Sequence, residues 1–338
     1  MGRHATKIQR TEAAAADAQA LNVLARGGRS FFWASHFLGR KTAYNAAHLY
    51  QFCRTLDDLA DGDIANGPAR LAAIQTQLER LADGKAIAEI DPALAAFLPV
   101  MKACHVPIMP FLHLLEGLLF DQGEVAIASE DGLIKYAYQV AGTVGLLMCP
   151  ILGCQNRHAF CFAVDMGIAM QLTNIARDVL EDAKMGRRYL PAQWTGNLGP
   201  QDICEAARDP QGAEALAIKT AIDRLLHLAN RYYESGQRGL VYLPFRAHIA
   251  IAVAANVYRE IGQKLRRRQL DWTRGRAVTN GAEKTLASLT ASASLAARVR
   301  QKPAYQEGLQ SALFDYPGGQ DYPGGQNYPG DTIIRGGR

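Results

Sequence analysis

The sequence predicts an all-α protein, and three observations carry that prediction. From residue 21 to residue 298 the chain returns repeatedly to Ala- and Leu-rich stretches of helical period, as at 69–82, 159–180 and 218–233. Alternating β-branched runs closed by turn dipeptides, the mark of strands, are missing. Breaks containing Gly and Pro at 62–68, 83–92, 106–110, 186–200 and 239–244 divide the apolar text into pieces of helical length.

Residues 1–20 read as a polar N-terminal arm. The opening stretch is basic and lacks the run of about 7–15 apolar residues that a secretory signal needs, so the chain is expected in the cytoplasm. Residues 21–298 read as one helical domain. Its longest apolar run, 140–154, is interrupted by Gly142, Gly145, Pro150 and Gly153 and falls short of the roughly 20 residues that span a bilayer, so it is expected as a buried helix. From Asp315 the text turns to DYPGGQ, DYPGGQ and NYPGD, in which Pro and Gly defeat helix and strand alike, and residues 299–338 are expected to form a disordered tail.

Composition narrows the function classes. Of 338 residues, 49% are apolar and 20% charged, a globular balance with room for a large core. The 37 Lys and Arg against 32 Asp and Glu leave a net charge of +5 and a pI near 8.8, too mild for a nucleic-acid-binding face. The six cysteines form no CxxC pair, and four of them sit in apolar runs, as reduced core thiols do. The eight histidines show no HExxH spacing, so any metal is expected on oxygen ligands.

Two acidic segments carry the chemistry. In YQFCRTLDDLADG, from Tyr50 to Gly62, Asp57 and Asp61 lie one helical turn apart, with Arg54 on the same side; Asp58 is turned about 100° away. In QLTNIARDVLED, Asn174, Asp178 and Asp182 form an i, i+4, i+8 column, with Gln171 one turn earlier, and the residues before it are almost wholly apolar. Like charges at i, i+4 weaken a helix, so a compensating cation is expected. Short carboxylates on two helices suit Mg²⁺, which keeps several waters and shares its coordination with phosphate oxygens. Arg54 and Arg177 stand within a turn of the columns, and Arg187 and Arg188 follow in a Gly-led loop, where each guanidinium can fork onto a phosphate. Glu116 and Asp121, in LLEGLLFDQGE, read either as groups that help their helix approach the site or, in preference, as capping or surface salt-bridge residues. The basic run KLRRR at 264–268 reads either as a contact for anionic lipid or as a solvated helix end.

At these residues the chain resembles the squalene/phytoene synthase family, most of all its bacterial phytoene-forming members. The likeness extends over most of residues 27–285 and includes Arg29-Ser30-Phe31, Cys53-Arg54 through Asp61-Gly62, YAYQVAGTVG from Tyr136, QLTNIARDVLED from Gln171, GRRYLP from Gly186, and Gly239 to Tyr258 ending in VAANVY. The resemblance implies a single-domain isoprenoid-synthase bundle around a central cavity. Across that cavity Asp57 and Asp61 face Asp178 and Asp182, binding Mg²⁺ (Mn²⁺ as a substitute) together with Asn174. Position by position it implies that Arg29, Ser30, Tyr50, Arg54, Gln171, Asn174, Arg177 and Tyr258 contact diphosphate or its metals, with Arg276 and Lys284 beside them. The GRRYLP stretch resembles a mobile flap that closes over the diphosphates.

The chemistry so implied is the head-to-head condensation of two prenyl diphosphates through a cyclopropylcarbinyl diphosphate, giving phytoene from geranylgeranyl diphosphate without NADPH. Phe31, Val140, Ala141, Val144, Met148, Ala163, Met166, Gly167 and Met170 match the family's prenyl-binding walls, although core packing accounts for the same stripe. So apolar a product motivates peripheral contact with the inner face of the membrane. Two other readings stand beside this one: a squalene or dehydrosqualene synthase using farnesyl diphosphate, and a non-catalytic helical assembly factor. The sequence does not specify an oligomeric state.

Overall fold

The structure is a computed structural model that describes residues 2–299, 303–305 and 309–314. The described residues form α1 (Gly2–Gly27), α2 (Arg29–Ser35), α3 (Arg40–Ala60), α4 (Gly67–Ala82), α5 (Pro92–Cys104), α6 (Met109–Phe120), α7 (Glu130–Ala137), α8 (Thr143–Ile151), α9 (His158–Lys184), α10 (Ala192–Thr195), α11 (Pro200–Ala206), α12 (Ala213–Gly239), α13 (Phe245–Arg267), α14 (Gly281–Ala293) and α15 (Ser311–Phe314). Extended pairing among them is limited to one isolated bridge between Ala126 and Arg188.

Local chemistry explains the boundaries. The Asp91 carboxylate accepts from the Ala93 N–H at 2.9 Å, just before Pro92 opens α5. Ser129 accepts from Gly132 at the start of α7. Asn280 and Glu283 cap α14 reciprocally, each side chain accepting from the other's backbone N–H.

The polar arm expected over 1–20 forms the first part of α1, whose Ala20 and Leu24 are buried against Ala47 of α3. Buried side chains from α2 through α15 join in a single core. Phe52 of α3, Phe97 of α5 and Phe111 of α6 stack and tilt within it at 5.2–5.7 Å.

At its centre runs α9, with 18 of its 27 residues buried, packed along α12 and against α8, α11 and α13. By length and composition α9 could cross a membrane, but 72% of its most apolar window is buried inside the protein, so the core accounts for that apolarity.

Two expectations need correction. The run 140–154 is not one regular helix: a π-helical turn at Tyr138–Gly142 leads into α8, and α8 ends at Ile151. Close packing on α9 accompanies the irregular turn. A Cβ on Gly167 would meet the Ala141 carbonyl oxygen at 2.3 Å, and one on Gly145 would meet that of Ala163 at the same distance. Within the segment expected as a tail, residues 303–305 and 309–314 are ordered against the core, where Gln310 and Leu313 are buried. The DYPGGQ repeats lie outside the described residues.

Candidate active site

The helices enclose one large cavity of about 630 Å³, within the range of small-molecule sites. One end is ionic. The last turn of α3 brings Asp57 and Asp61 to it, and the last two turns of α9 bring Asp178 and Asp182. Both helices also turn their C-terminal ends, with their partial negative charge, toward this end of the cavity, so that carboxylates and helix dipoles reinforce one negative potential. The i, i+4 spacing placed each pair on one face, and the fold brings the two faces to a shared hollow.

Guanidinium groups offset part of that charge. Arg54 pairs with Asp57 at 2.9 Å and with Asp58 at 2.5 Å, so Asp58 acts on the cavity through Arg54. Arg177 grips both oxygens of Asp178 at 2.8 and 2.5 Å, and Arg276 reaches the same carboxylate at 2.9 Å. Arg187, from the loop after α9, crosses to Asp61 at 2.7 Å and so ties the two acidic helices together.

The offset is incomplete. Burial, with Asp61 and Asp58 nearby, pushes Asp57 up to about 6 despite Arg54. Burial and the neighbouring Asp178 push Asp182 up to about 7 despite Arg276 and Arg187. The buried Oδ1 of Asn174, on the same column, has no hydrogen-bond partner, a costly state for a buried acceptor.

These are the marks of a site short of positive charge and rich in hard oxygen donors, a donor set that fits Mg²⁺. Among the described residues no three His, Cys, Asp or Glu side chains converge into a ready ligand set. The guanidiniums hold three of the four aspartates instead.

The remaining walls are apolar: Val140, Ala141, Val144, Met148, Ala163, Met166, Gly167 and Met170 all line the cavity. Phe31, Tyr50, Gln171 and Tyr258 line it too, with the Phe31 and Tyr258 rings 5.2 Å apart.

Other residues expected at the site stand off the cavity wall. Arg29 and Ser30 open α2 and do not line the cavity. Phe31 does, and its neighbours one and two positions back lie about 100° and 200° around the helix, leaving Arg29 exposed. Lys284 is not among the lining residues either. Arg188 is buried and donates to the carbonyls of Ile127 and Leu190, so it pins GRRYLP to the 125–128 segment and does not face the cavity.

Sequence reasoning also missed residues. Asp121, for which the sequence favours a capping or salt-bridge role over one near the cavity, caps α6 and accepts from the hydroxyls of Tyr136 and Tyr189, both at 2.8 Å. All three line the cavity beside Arg187, and burial pushes Asp121 up to about 6. Only the fold brings these residues together, because 68 positions separate Asp121 from Tyr189. Phe162, Leu240, Leu243 and Ile251 complete the apolar wall and were not singled out as wall residues in the sequence.

The squalene/phytoene synthase family profile matches residues 24–283, which span the cavity and both acidic helices. The chain belongs to the squalene/phytoene synthase family. Among its relatives is the 15-cis-phytoene synthase of Pantoea ananas, 37% identical over 296 residues, an alignment covering 84% of this chain and 94% of that one. The phytoene synthase of Thermus thermophilus is also 37% identical, over 84% and 94% of the two chains. In fold, the chain is similar to a dehydrosqualene synthase solved with a ligand, at a TM-score of 0.73 and 27% identity, covering 85% of this chain and 98% of that one. The family's helical architecture is therefore the one that brings the two acidic segments together here.

Proposed function

We propose that this prenyltransferase joins two geranylgeranyl diphosphates head to head to form phytoene, a first step of carotenoid synthesis, with release of both diphosphates and two protons. The observation that carries the reading is one cavity whose acidic, arginine-flanked end opens onto a long apolar chamber. The phytoene synthases among the relatives support geranylgeranyl over farnesyl diphosphate as substrate.

Asp57, Asp61, Asn174, Asp178 and Asp182 are the residues suited to hold Mg²⁺, or Mn²⁺ in its place. The ion would supply positive charge where the diphosphate departs. Arg54, Arg177, Arg187 and Arg276 fork onto diphosphate oxygens as the C–O bond breaks, which requires them to exchange carboxylate partners for phosphate. Tyr50 and Gln171 line the same end and orient the diphosphate by hydrogen bonds. The side chains from Val140 to Met148 and from Ala163 to Met170 hold the prenyl chains and keep water from the allylic cation. The faces of Phe31 and Tyr258 stabilise that cation. Asp121, held by its two tyrosines, keeps Arg187 at the mouth. The double bond of the second substrate attacks the cation. That adduct loses a proton as it closes to a cyclopropylcarbinyl diphosphate, which ionises in turn, rearranges and loses a second proton, with no hydride donor in the balance.

An apolar product supports peripheral contact of this cytoplasmic enzyme with the inner face of the membrane. The exposed Val278, Leu286 and Leu289, around α14, offer side chains for it. The KLRRR run is a weaker candidate, since Lys264, Arg266 and Arg267 are taken by Glu283, Asp223 and Glu260. Failure to float with anionic liposomes at low salt would refute the membrane contact.

The decisive experiment incubates the purified full-length chain with geranylgeranyl or farnesyl diphosphate and Mg²⁺, with and without NADPH. A C40 conjugated triene formed without NADPH is expected. A C30 product in preference, or a requirement for NADPH, would favour the squalene-type reading.

A further inference from the structure

The cavity has an apolar end as well as an ionic one, with Cys149, Leu152 and Ala159 among its lining. Phe162 of α9 lines it together with Gly239, Leu240 and Leu243. Phe162 precedes Asp178 by sixteen residues on one continuous helix. At 1.5 Å per residue that separation is about 24 Å, a span comparable with an extended geranylgeranyl chain. The Phe162 ring takes this place because position 239 is glycine: a Cβ there would lie 2.1 Å from the Phe162 Cβ.

What stands behind Phe162 comes partly from the C-terminal segment. Tyr305 meets its ring edge-on at 5.2 Å, and Tyr242 stacks at 6.0 Å; neither tyrosine lines the cavity. Tyr305 is itself held from outside. Its hydroxyl donates to the fully buried Asp165 at 3.2 Å, as do Gln310 at 2.7 Å and Ser235 at 2.5 Å. Gln310 also donates to the Cys161 carbonyl, one residue before Phe162, and Tyr242 donates to the Pro303 carbonyl. A buried carboxylate is costly unless donors satisfy it, and two of the three donors here belong to the C-terminal segment. Asp165 thus has no part at the cavity, yet it fixes the segment that backs the cavity's floor.

We propose that the C-terminal segment, by seating Tyr305 behind Phe162, sets the length of prenyl chain that the cavity accepts. Tyr305 touches no substrate and is a positioning residue; Phe162 is the floor against which the chain end stops. The inference rests on the proposed prenyl diphosphate activity.

The test is a competition between geranylgeranyl diphosphate and its homologue one isoprene unit longer, using full-length protein and reading the ratio of kcat/KM for the longer to the shorter substrate. Tyr305→Ala is expected to raise that ratio at least about fivefold, because room for a few methylenes is worth a factor of this order. Tyr305→Phe keeps the ring behind Phe162 and should leave the ratio where it was, whereas Phe162→Leu should raise it directly. Should Tyr305→Ala not fold, Tyr305→Leu carries the same test with a smaller rise expected. An unchanged ratio in the Tyr305 variant that folds, alongside an active wild type, overturns the inference alone. A wild type that converts neither substrate to hydrocarbon overturns the functional reading beneath it.

Discussion

At the level of single residues, the four aspartates differ in what surrounds them. Asp178 is held by two arginines, whereas Asp182 is pushed up by burial and by Asp178 itself. Truncating Asp178 would therefore leave Arg177 and Arg276 without their partner, which confounds loss of chemistry with loss of stability. Asp57 offers a cleaner test, since Arg54 keeps Asp58 when Asp57 is removed. Asp57→Ala is expected to lower turnover by at least about 100-fold, as loss of a charge-stabilising group at a reacting centre does, with far-UV circular dichroism unchanged. Activity within a few-fold of wild type would contradict its role. The column residues were legible in the sequence because a 3.6-residue period converts spacing directly into a shared face. Asp121 was not, because its importance comes from two tyrosines on other elements, and no local spacing encodes that meeting.

At the level of elements, the breaks in the sequence located the junctions from α3 to α6, from α9 to α11 and between α12 and α13, since Pro and Gly act on backbone geometry wherever they stand. The π-helical turn at Tyr138–Gly142 escaped because an extra residue in a turn arises from packing, here the close seat of the turn on Gly167, and leaves the apolar text unchanged. The loop after α9 shows the same limit. Arg187 and Arg188 are adjacent and chemically identical, yet one crosses the cavity mouth to Asp61 and the other is buried against carbonyls of 127 and 190. Their alanine variants should separate accordingly. Arg188→Ala is expected to destabilise the protein by about 1–3 kcal/mol through unsatisfied buried acceptors, read as a lower denaturation midpoint. Arg187→Ala should lower that midpoint by less than Arg188→Ala does, while cutting turnover at least tenfold. Equal effects of the two on stability would contradict the division.

At the level of the whole molecule, the fold gathers carboxylates that water would otherwise solvate. Burial, joined at Asp57 and Asp182 by neighbouring carboxylates, raises Asp57, Asp121 and Asp165 to about 6 and Asp182 to about 7, from an ordinary value of 3.8. With folded values above unfolded ones, the native state binds more protons than the unfolded chain between roughly pH 4 and 7, so stability falls as pH rises through that window. The Tm of protein stripped with a chelator is expected to drop between pH 5 and 7.5. Adding Mg²⁺ should recover it mainly at the upper end, where the carboxylates are free to bind the ion. A chelated protein whose Tm rises steadily with pH, or does not respond to Mg²⁺, would contradict this electrostatic account.

One cavity that ionises two diphosphates in sequence implies a fixed stoichiometry, and a single-turnover assay with labelled geranylgeranyl diphosphate, Mg²⁺ and no reductant measures it. The account predicts two diphosphates released per C40 hydrocarbon, with a cyclopropylcarbinyl diphosphate rising and falling in between. One diphosphate released per substrate as a C20 alcohol, with no C40 product at any time, would contradict it.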